Sequence, residues 1–289
     1  MATFGDSNYN SKLYSDYRPT YKKCLFEAIV AYHKSNNGDF GTALDLGCGT
    51  GQATIELVDH FDKVIGIDSS AVMIQSAIQH PKIEYIVGDC LEIPVPDHSV
   101  DLLVIGQAIH WFPIPKFWTE VKRVVKPGGT FGFWGYSNSI SHKFPIITEF
   151  IWEFTTVTTG PFWDQGRKKL DELHQSYLED IPFDNVQARL FFAHPKVKLT
   201  EKAKKITEKN PGFVTNDIPD TGFVTPILNL GQLKNYMKTW SGYHNYLKNN
   251  VGAEDPVDDM INRIIMETGL RMDEDCGLLF PQEVVLSKV

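Results

Sequence analysis

Residues 43–52 read Ala-Leu-Asp-Leu-Gly-Cys-Gly-Thr-Gly-Gln. A short apolar run, 42–46, ends at three alternating glycines, Gly47, Gly49 and Gly51, and a segment with Ile55, Leu57, Val58 and Phe61 follows. Run, glycine turn and periodic apolar segment predict strand, loop and helix. Glycines are needed where the backbone takes positive φ or where a ligand presses on the main chain. A helix beginning here would aim its free N–H groups at the loop.

The spacing is Gly-x-Gly-x-Gly, with Asp45 two residues ahead of it. A dinucleotide loop requires Gly-x-Gly-x-x-Gly and holds a pyrophosphate, which a neighbouring carboxylate repels. Asp45 suits a cationic group instead, such as the amino group of a methionine moiety. A second strand-like run, 65–68, ends in Asp68, spaced to accept hydrogen bonds from ribose hydroxyls. The plainer alternatives are a tight turn at the glycines and a helix cap at Asp68.

Asp45-x-Gly47-x-Gly49-x-Gly51 followed by Asp68 resembles the first motif and ribose acid of the class I S-adenosylmethionine-dependent methyltransferases. Further likenesses are Val87-Gly88-Asp89-Cys90, the strand 100–104 leading to Gln107-Ala108-Ile109-His110-Trp111, and the turn Lys126-Pro127-Gly128-Gly129. Tyr14, Tyr17-Arg18-Pro19, Phe133-Trp134-Gly135-Tyr136 and Thr239-Trp240-Ser241-x-Tyr243-His244 are similar to the small-molecule, trans-aconitate methyltransferase-like branch (methyltransferase type 11). The resemblance implies an α/β fold, a doubly wound, mainly parallel seven-stranded sheet with an antiparallel last strand and helical capping insertions. It implies one domain over 1–289: an N-terminal lid at 1–20, a cofactor core at 40–137, and substrate-capping insertions at 138–180 and 196–270. It places Tyr14, Arg18, Asp45, Gly47, Gly49, Gly51, Gln52, Asp68, Met73, Asp89, Cys90 and Gln107 around S-adenosyl-L-methionine, which becomes S-adenosyl-L-homocysteine, with no metal.

The chain in order supports that architecture. A helix is expected from Thr20 through Lys34, with His33 an ordinary face residue. Strands are expected at 82–87, 100–106, 130–136, 186–192 and 277–288, and helices at 117–125, 144–157, 168–177, 230–246 and 256–268. Repeated strand–helix alternation calls for a parallel, doubly wound sheet. Residues 196–229 are polar, and part of them is expected to be mobile.

A net charge of −8 disfavours a nucleic-acid surface, and the lysines at 196–209 read as a solvated segment. Four cysteines without a Cys-x-x-Cys motif argue against zinc and for a reducing compartment. The first residues lack a secretory pattern and no apolar run approaches the ~20 residues of a membrane span, so a cytoplasmic monomer or homodimer is expected.

Methyl transfer from a sulfonium is an in-line displacement, and orientation with exclusion of water does most of the work. A carboxylate acceptor is already a nucleophile and needs only a clamp, for which Arg18 and His110 are candidates, with Tyr136 or His244 besides. A phenol, amine or other nucleophile would need a base, and His110, beyond the fourth strand, is best placed. A structural histidine is the plain alternative. Trp111, Trp134, Tyr136, Trp163, Trp240, Tyr243 and His244 are the expected acceptor-side residues, each alone as well explained by core packing. Only Arg18 and Arg167 among the six arginines stand in plausible places, so an acid with an apolar body suits the sequence as well as a tricarboxylate. The competing readings are a phenol, amine or lipid methyltransferase, a non-catalytic cofactor-binding subunit and, weakest, a dinucleotide oxidoreductase.

Overall fold

The computed structural model describes residues 17–164, 166–191, 195–196, 198, 200–201, 204 and 222–289. Seven strands form one sheet: β1 Thr42–Leu46, β2 Lys63–Asp68, β3 Ile83–Val87, β4 Val100–Gly106, β5 Val125–Tyr136, β7 Asp184–Phe191 and β9 Gln282–Lys288. Their order is β3-β2-β1-β4-β5-β9-β7. β9 runs antiparallel to both β5 and β7, and the remaining pairs are parallel. Two short strands, β6 Ile140–Ser141 and β8 Leu278–Leu279, pair apart from it. The expected architecture is therefore the observed one.

β4 shows why the sheet is buried on both faces. Leu102 and Val104 enter one core cluster while Leu103 and Ile105 enter the other, following the two-residue period of a strand. Helix α1, Lys23–Ser35, packs Leu25, Phe26, Ile29 and Tyr32 into the first cluster. Helix α3, Ile114–Val124, packs Phe117, Trp118 and Val121 into the second. His33, fully buried, bonds Thr130 Oγ1 at 2.8 Å and the Asp39 carbonyl at 2.7 Å, a satisfied core histidine. The chain leaves β1 toward β2 and β3, then returns to lay β4 on the other side of β1. Ligands of open α/β sheets lie outside the carboxyl ends at such a reversal. The glycine loop after β1 and the Gln107–Trp111 segment after β4 meet there: a Cβ on Gly47 would stand 2.6 Å from the Ala108 Cβ.

Several helices differ from expectation. The segment after the glycine loop forms only a 3₁₀ turn, Thr54–Leu57. Thr54, Ile55, Val58, Asp59 and His60 are weak helix formers, so the loop has its own N–H groups rather than a long helix end. Helix α1 begins at Lys23 rather than beside Thr20. The 144–157 helix is Pro145–Glu153 (α4), continued by a π turn at Phe154–Thr158. The 168–177 helix is two pieces, α5 Arg167–Asp171 and α6 Gln175–Asp180, separated where Leu173 and His174 take φ of 52° and 47°. The 230–246 helix is also two, α7 Leu230–Met237 and α8 Ser241–Asn249, broken where Trp240 adopts φ −80°, ψ 140°. Helix α9 spans Pro256–Thr268, capped by Asp255, whose carboxylate accepts from the Val257 and Asp258 N–H groups. Residues 205–221 and 1–16, with Tyr14, lie outside the described residues.

Trp134, one of the expected acceptor-side residues, packs in the core. It is fully buried on β5, edge-on to Tyr21 (5.5 Å) and Phe26 (5.8 Å), and bounds neither cavity described below. Trp134→Ala should cost about 3–5 kcal/mol of stability, read as a lower urea midpoint, whereas Trp163→Ala on a cavity wall should cost clearly less.

Candidate active site

The three loop glycines all have positive φ: 74° at Gly47, 55° at Gly49 and 84° at Gly51. Gly51 has no room for a side chain, since a Cβ would stand 2.1 Å from Tyr85 Oη, whereas one on Gly49 would meet nothing within 4 Å. The loop backbone at Gly49 is thus bare toward open space. Asp68, at the end of β2, fixes the loop by accepting from Gly49 N–H (2.9 Å) and Ser70 N–H (2.8 Å).

Asp45 lies beneath this loop and is 1% exposed. Its Oδ2 accepts from Thr54 Oγ1 at 2.6 Å; its Oδ1 has no partner among the described residues. Burial, with Asp68 nearby as a lesser cause, pushes the carboxyl up to about 7. A buried carboxylate with an unsatisfied oxygen is costly, and a cation seated against Oδ1 would relieve that cost. The cleft above it encloses about 460 Å³ including its open mouth, and Arg18, Asp45, Gly47, Gly49, Gln52 and Gln107 are among its walls.

Gly51, Asp68, Met73, Asp89 and Cys90 do not bound that cleft. Met73 is buried on the short helix Ala71–Gln75, and Asp89 Oδ1 accepts from Leu91 N–H at 2.7 Å. Cys90 packs partly buried against the second core cluster. Gln107 bounds the cleft, but its side-chain amide is engaged twice by the Tyr136 backbone, at 2.9 and 3.0 Å. That pairing ties the end of β4 to the end of β5, a role that residue spacing does not reveal.

A second cavity adjoins the first, and Arg18, Gln107 and Tyr136 bound both. It encloses about 620 Å³ including its mouth, with His110, Trp111, Trp163, Arg167, Trp240 and Ser137 on its walls. Of the expected acceptor residues, Trp111, Tyr136, Trp163 and Trp240 bound it; Trp134, Tyr243 and His244 do not. The helix break at Trp240 turns Tyr243 toward α9, where its hydroxyl donates to Asp255 Oδ2 at 2.8 Å. The same break leaves the Thr239 carbonyl out of a helix, and Arg18 Nη2 donates to it at 3.2 Å. Arg167 lies over the Trp163 ring (4.2 Å), pairs with Asp171 at 2.8 Å and donates to Asn138 Oδ1. Ser137 and Asn138 were not anticipated; their only sequence signal is their position just past β5.

His110 is 6% exposed, and its Nδ1 has no partner among the described residues. Burial, then the nearby His174 and Arg167, with Arg18 and Lys169 besides, hold it well below the ordinary histidine range. The imidazole is therefore neutral at physiological pH.

A family model described as a methyltransferase domain matches residues 44–133. A Dictyostelium discoideum protein classed by its name among methyltransferases is 27% identical over 283 residues, covering 96% of this chain and 92% of that one. A Saccharomyces cerevisiae protein, named as a probable S-adenosylmethionine-dependent methyltransferase, is 27% identical over 274 residues, covering 90% and 88%. A solved structure from Anaeromyxobacter dehalogenans, described as a type II methyltransferase, shares the fold at TM-score 0.63 and 20% identity, over 94% of this chain and 97% of that one. Together these likenesses support an S-adenosylmethionine-dependent methyltransferase with the class I fold.

This methyltransferase has, among the described residues, no group of three or more His, Cys, Asp or Glu placed to hold a metal ion. None of its described helices is long and apolar enough to cross a membrane. The donor's chemistry fits the cleft: a sulfonium amino acid brings an ammonium for the unsatisfied Asp45 Oδ1 and presses against side-chain-free backbone at Gly49. Asp45 also sets a stability signature. Its carboxyl ionises near its ordinary acid value when unfolded but near 7 when folded, so the ligand-free protein loses stability from this group as pH rises from about 4 to 7. Asp45→Asn should therefore stabilise the ligand-free methyltransferase more at pH 8 than at pH 4, measured as the difference in Tm between variant and wild type.

Proposed function

We propose that this methyltransferase transfers the methyl group of S-adenosylmethionine to a carboxylate oxygen of a small acid, giving a methyl ester. The observation that carries the reading is the pair of guanidinium groups, Arg18 and Arg167, on the walls of a cavity continuous with the donor cleft. Asp164 is the acidic residue on those walls, so the lining charge favours an anion. Planar guanidinium groups match carboxylate geometry, and Trp111, Trp163 and Trp240 offer apolar faces to the rest of the acid. The likeness to the trans-aconitate branch supports the same class of acceptor.

On the donor side, Asp45 receives the ammonium of the methionine part, and Arg18, on the wall that both cavities share, faces its carboxylate as well as the acceptor. The Gly47–Gly51 backbone, with Gln52, borders it. Each Asp68 oxygen accepts one backbone N–H and retains capacity for a ribose hydroxyl. Met73, Asp89 and Cys90 stand on the adenine side. Gln107 acts indirectly, by fixing the wall that both cavities share. Tyr14, outside the described residues, belongs to the proposed 1–20 lid. The insertion 138–180 and the described part of 196–270 supply the acceptor cavity's cover through Trp163, Arg167 and Trp240.

When bound, the sulfonium supplies an electrophilic methyl whose bond to sulfur breaks as the bond to oxygen forms, the electron pair returning to sulfur. No proton moves when the acceptor is a carboxylate. The protein's part is orientation: Arg18 and Arg167 hold the anion, the aromatic walls exclude water, and neutral His110 offers a hydrogen bond without neutralising the nucleophile. A phenol or amine acceptor is the second reading, favoured by the partnerless Nδ1 of a neutral His110, which would then take the acceptor's proton.

A survey of small acids, phenols and amines with methyl-labelled S-adenosylmethionine separates the two. A carboxylate acceptor yields label that mild base releases as methanol, and Arg167→Gln raises the acceptor KM about tenfold or more without changing donor affinity. Base-stable label on a phenol or amine overturns the ester.

A further inference from the structure

Behind the acceptor cavity lie two buried ionisable side chains to which sequence reading gave no role. Glu283 on β9 is fully buried, and its Oε1 lies within hydrogen-bond distance of His174 Nδ1, at 2.5 Å. Its Oε2 has no partner, nor has His174 Nε2. His174, also fully buried, occupies the break between α5 and α6 in a left-handed conformation, which costs a non-glycine residue about 1–2 kcal/mol. Gly135 on β5 makes room for the pair: a Cβ there would stand 2.5 Å from Glu283 Oε1 and 3.1 Å from His174 Cε1.

The His174 ring is the middle of a stack. His110 lies on one side at 5.6 Å between centroids and 28° between planes, and Tyr177 lies at 5.5 Å and 26°. Phe133 meets the His174 ring edge-on at 5.8 Å. The hydrogen bond with Glu283 and the edge of Phe133 fix the ring that His110 rests on, and His110 alone of the three histidine and glutamate side chains bounds the acceptor cavity.

A buried polar pair and a strained backbone are retained against a cost, and here both converge on one cavity-wall side chain. We propose that His174 and Glu283 are a positioning pair for His110: Glu283 fixes the proton on His174 Nδ1, and the immobilised His174 ring holds the His110 ring against the acceptor cavity. This rests on the reading of His110 as an acceptor contact. His110 also stands among groups that disfavour a charge on its ring. His174 faces His110 from one side; Arg167 and Lys169 come from α5 and Arg18 from the N-terminal segment. Asp171 is tied to Arg167, and Glu283 is spent on His174. A proton added to His110 would be the next positive charge among these, so the ring keeps its lone pair.

The test is histidine-selective ¹⁵N NMR on the full chain. In the wild type, His174 should show a protonated Nδ1, and His110 should stay neutral from pH 7.5 to 5.5. The double variant His174→Phe with Glu283→Leu exchanges the pair for apolar side chains of similar bulk, a change that buried polar pairs often tolerate. In it, the His110 ring shifts should change and its titration should move away from the wild-type position. His174→Gln, which removes the stacked ring but keeps a donor for Glu283, should also change the His110 ring shifts and serves if the double variant does not fold. A His110 titration and ring shifts unchanged in a folded variant would overturn the proposal. Its failure is separable from that of the carboxylate reading, because no acceptor enters the measurement, whereas a fully active His110→Asn enzyme in the labelled-acceptor survey would remove the premise alone.

Discussion

A carboxylate sealed under a glycine loop, with one oxygen bonded to Thr54 and the other to nothing, is the constraint on which the rest of the site depends. Burial makes that charge expensive, so the carboxyl holds its proton up to about 7, and a cation seated against it would offset the cost of ionising it. The glycines follow from it. Gly49 leaves the backbone above Asp45 bare, while Gly51 lets the loop pass under Tyr85. Asp68 then ties the loop back to β2 through the Gly49 N–H. A pyrophosphate would have the wrong charge for this pocket, which is why the dinucleotide reading fails on electrostatics and not only on spacing.

The acceptor cavity is built onto that cleft by interruptions of regular structure. The break at Trp240 exposes a carbonyl for Arg18 and turns an indole into the cavity; the break at His174 directs a histidine under the sheet toward Glu283. Gln107, itself at φ 57°, pairs with the Tyr136 backbone and makes one wall serve both cavities.

The sheet was legible because parallel strands buried on both faces read as unbroken apolar runs: β1 and β4 have the expected limits, Thr42–Leu46 and Val100–Gly106. The loop was legible because glycine spacing and an acid report a backbone requirement directly. The helix breaks were not, since apolar periodicity continues across 168–177 and 230–246, and the residues that compensate each break are distant in sequence: Glu283 for His174, Arg18 for Thr239. The aromatic residues divided for the same reason. Composition marks Trp134, Trp163 and Trp240 alike; Trp134 and Trp240 are both buried in the core, and Trp240 also borders the cavity that Trp163 lines.

Calorimetric titration of S-adenosylmethionine into the wild-type protein and Asp45→Asn, between pH 5.5 and 8, tests the central claim most directly. With Asp45 near 7 before the donor binds, wild-type affinity should rise by up to about tenfold per pH unit on approaching 7 and level off above it, whereas Asp45→Asn should bind weakly with little pH dependence. A wild-type affinity independent of pH, or an Asn variant that binds as tightly as the wild type, would contradict the account.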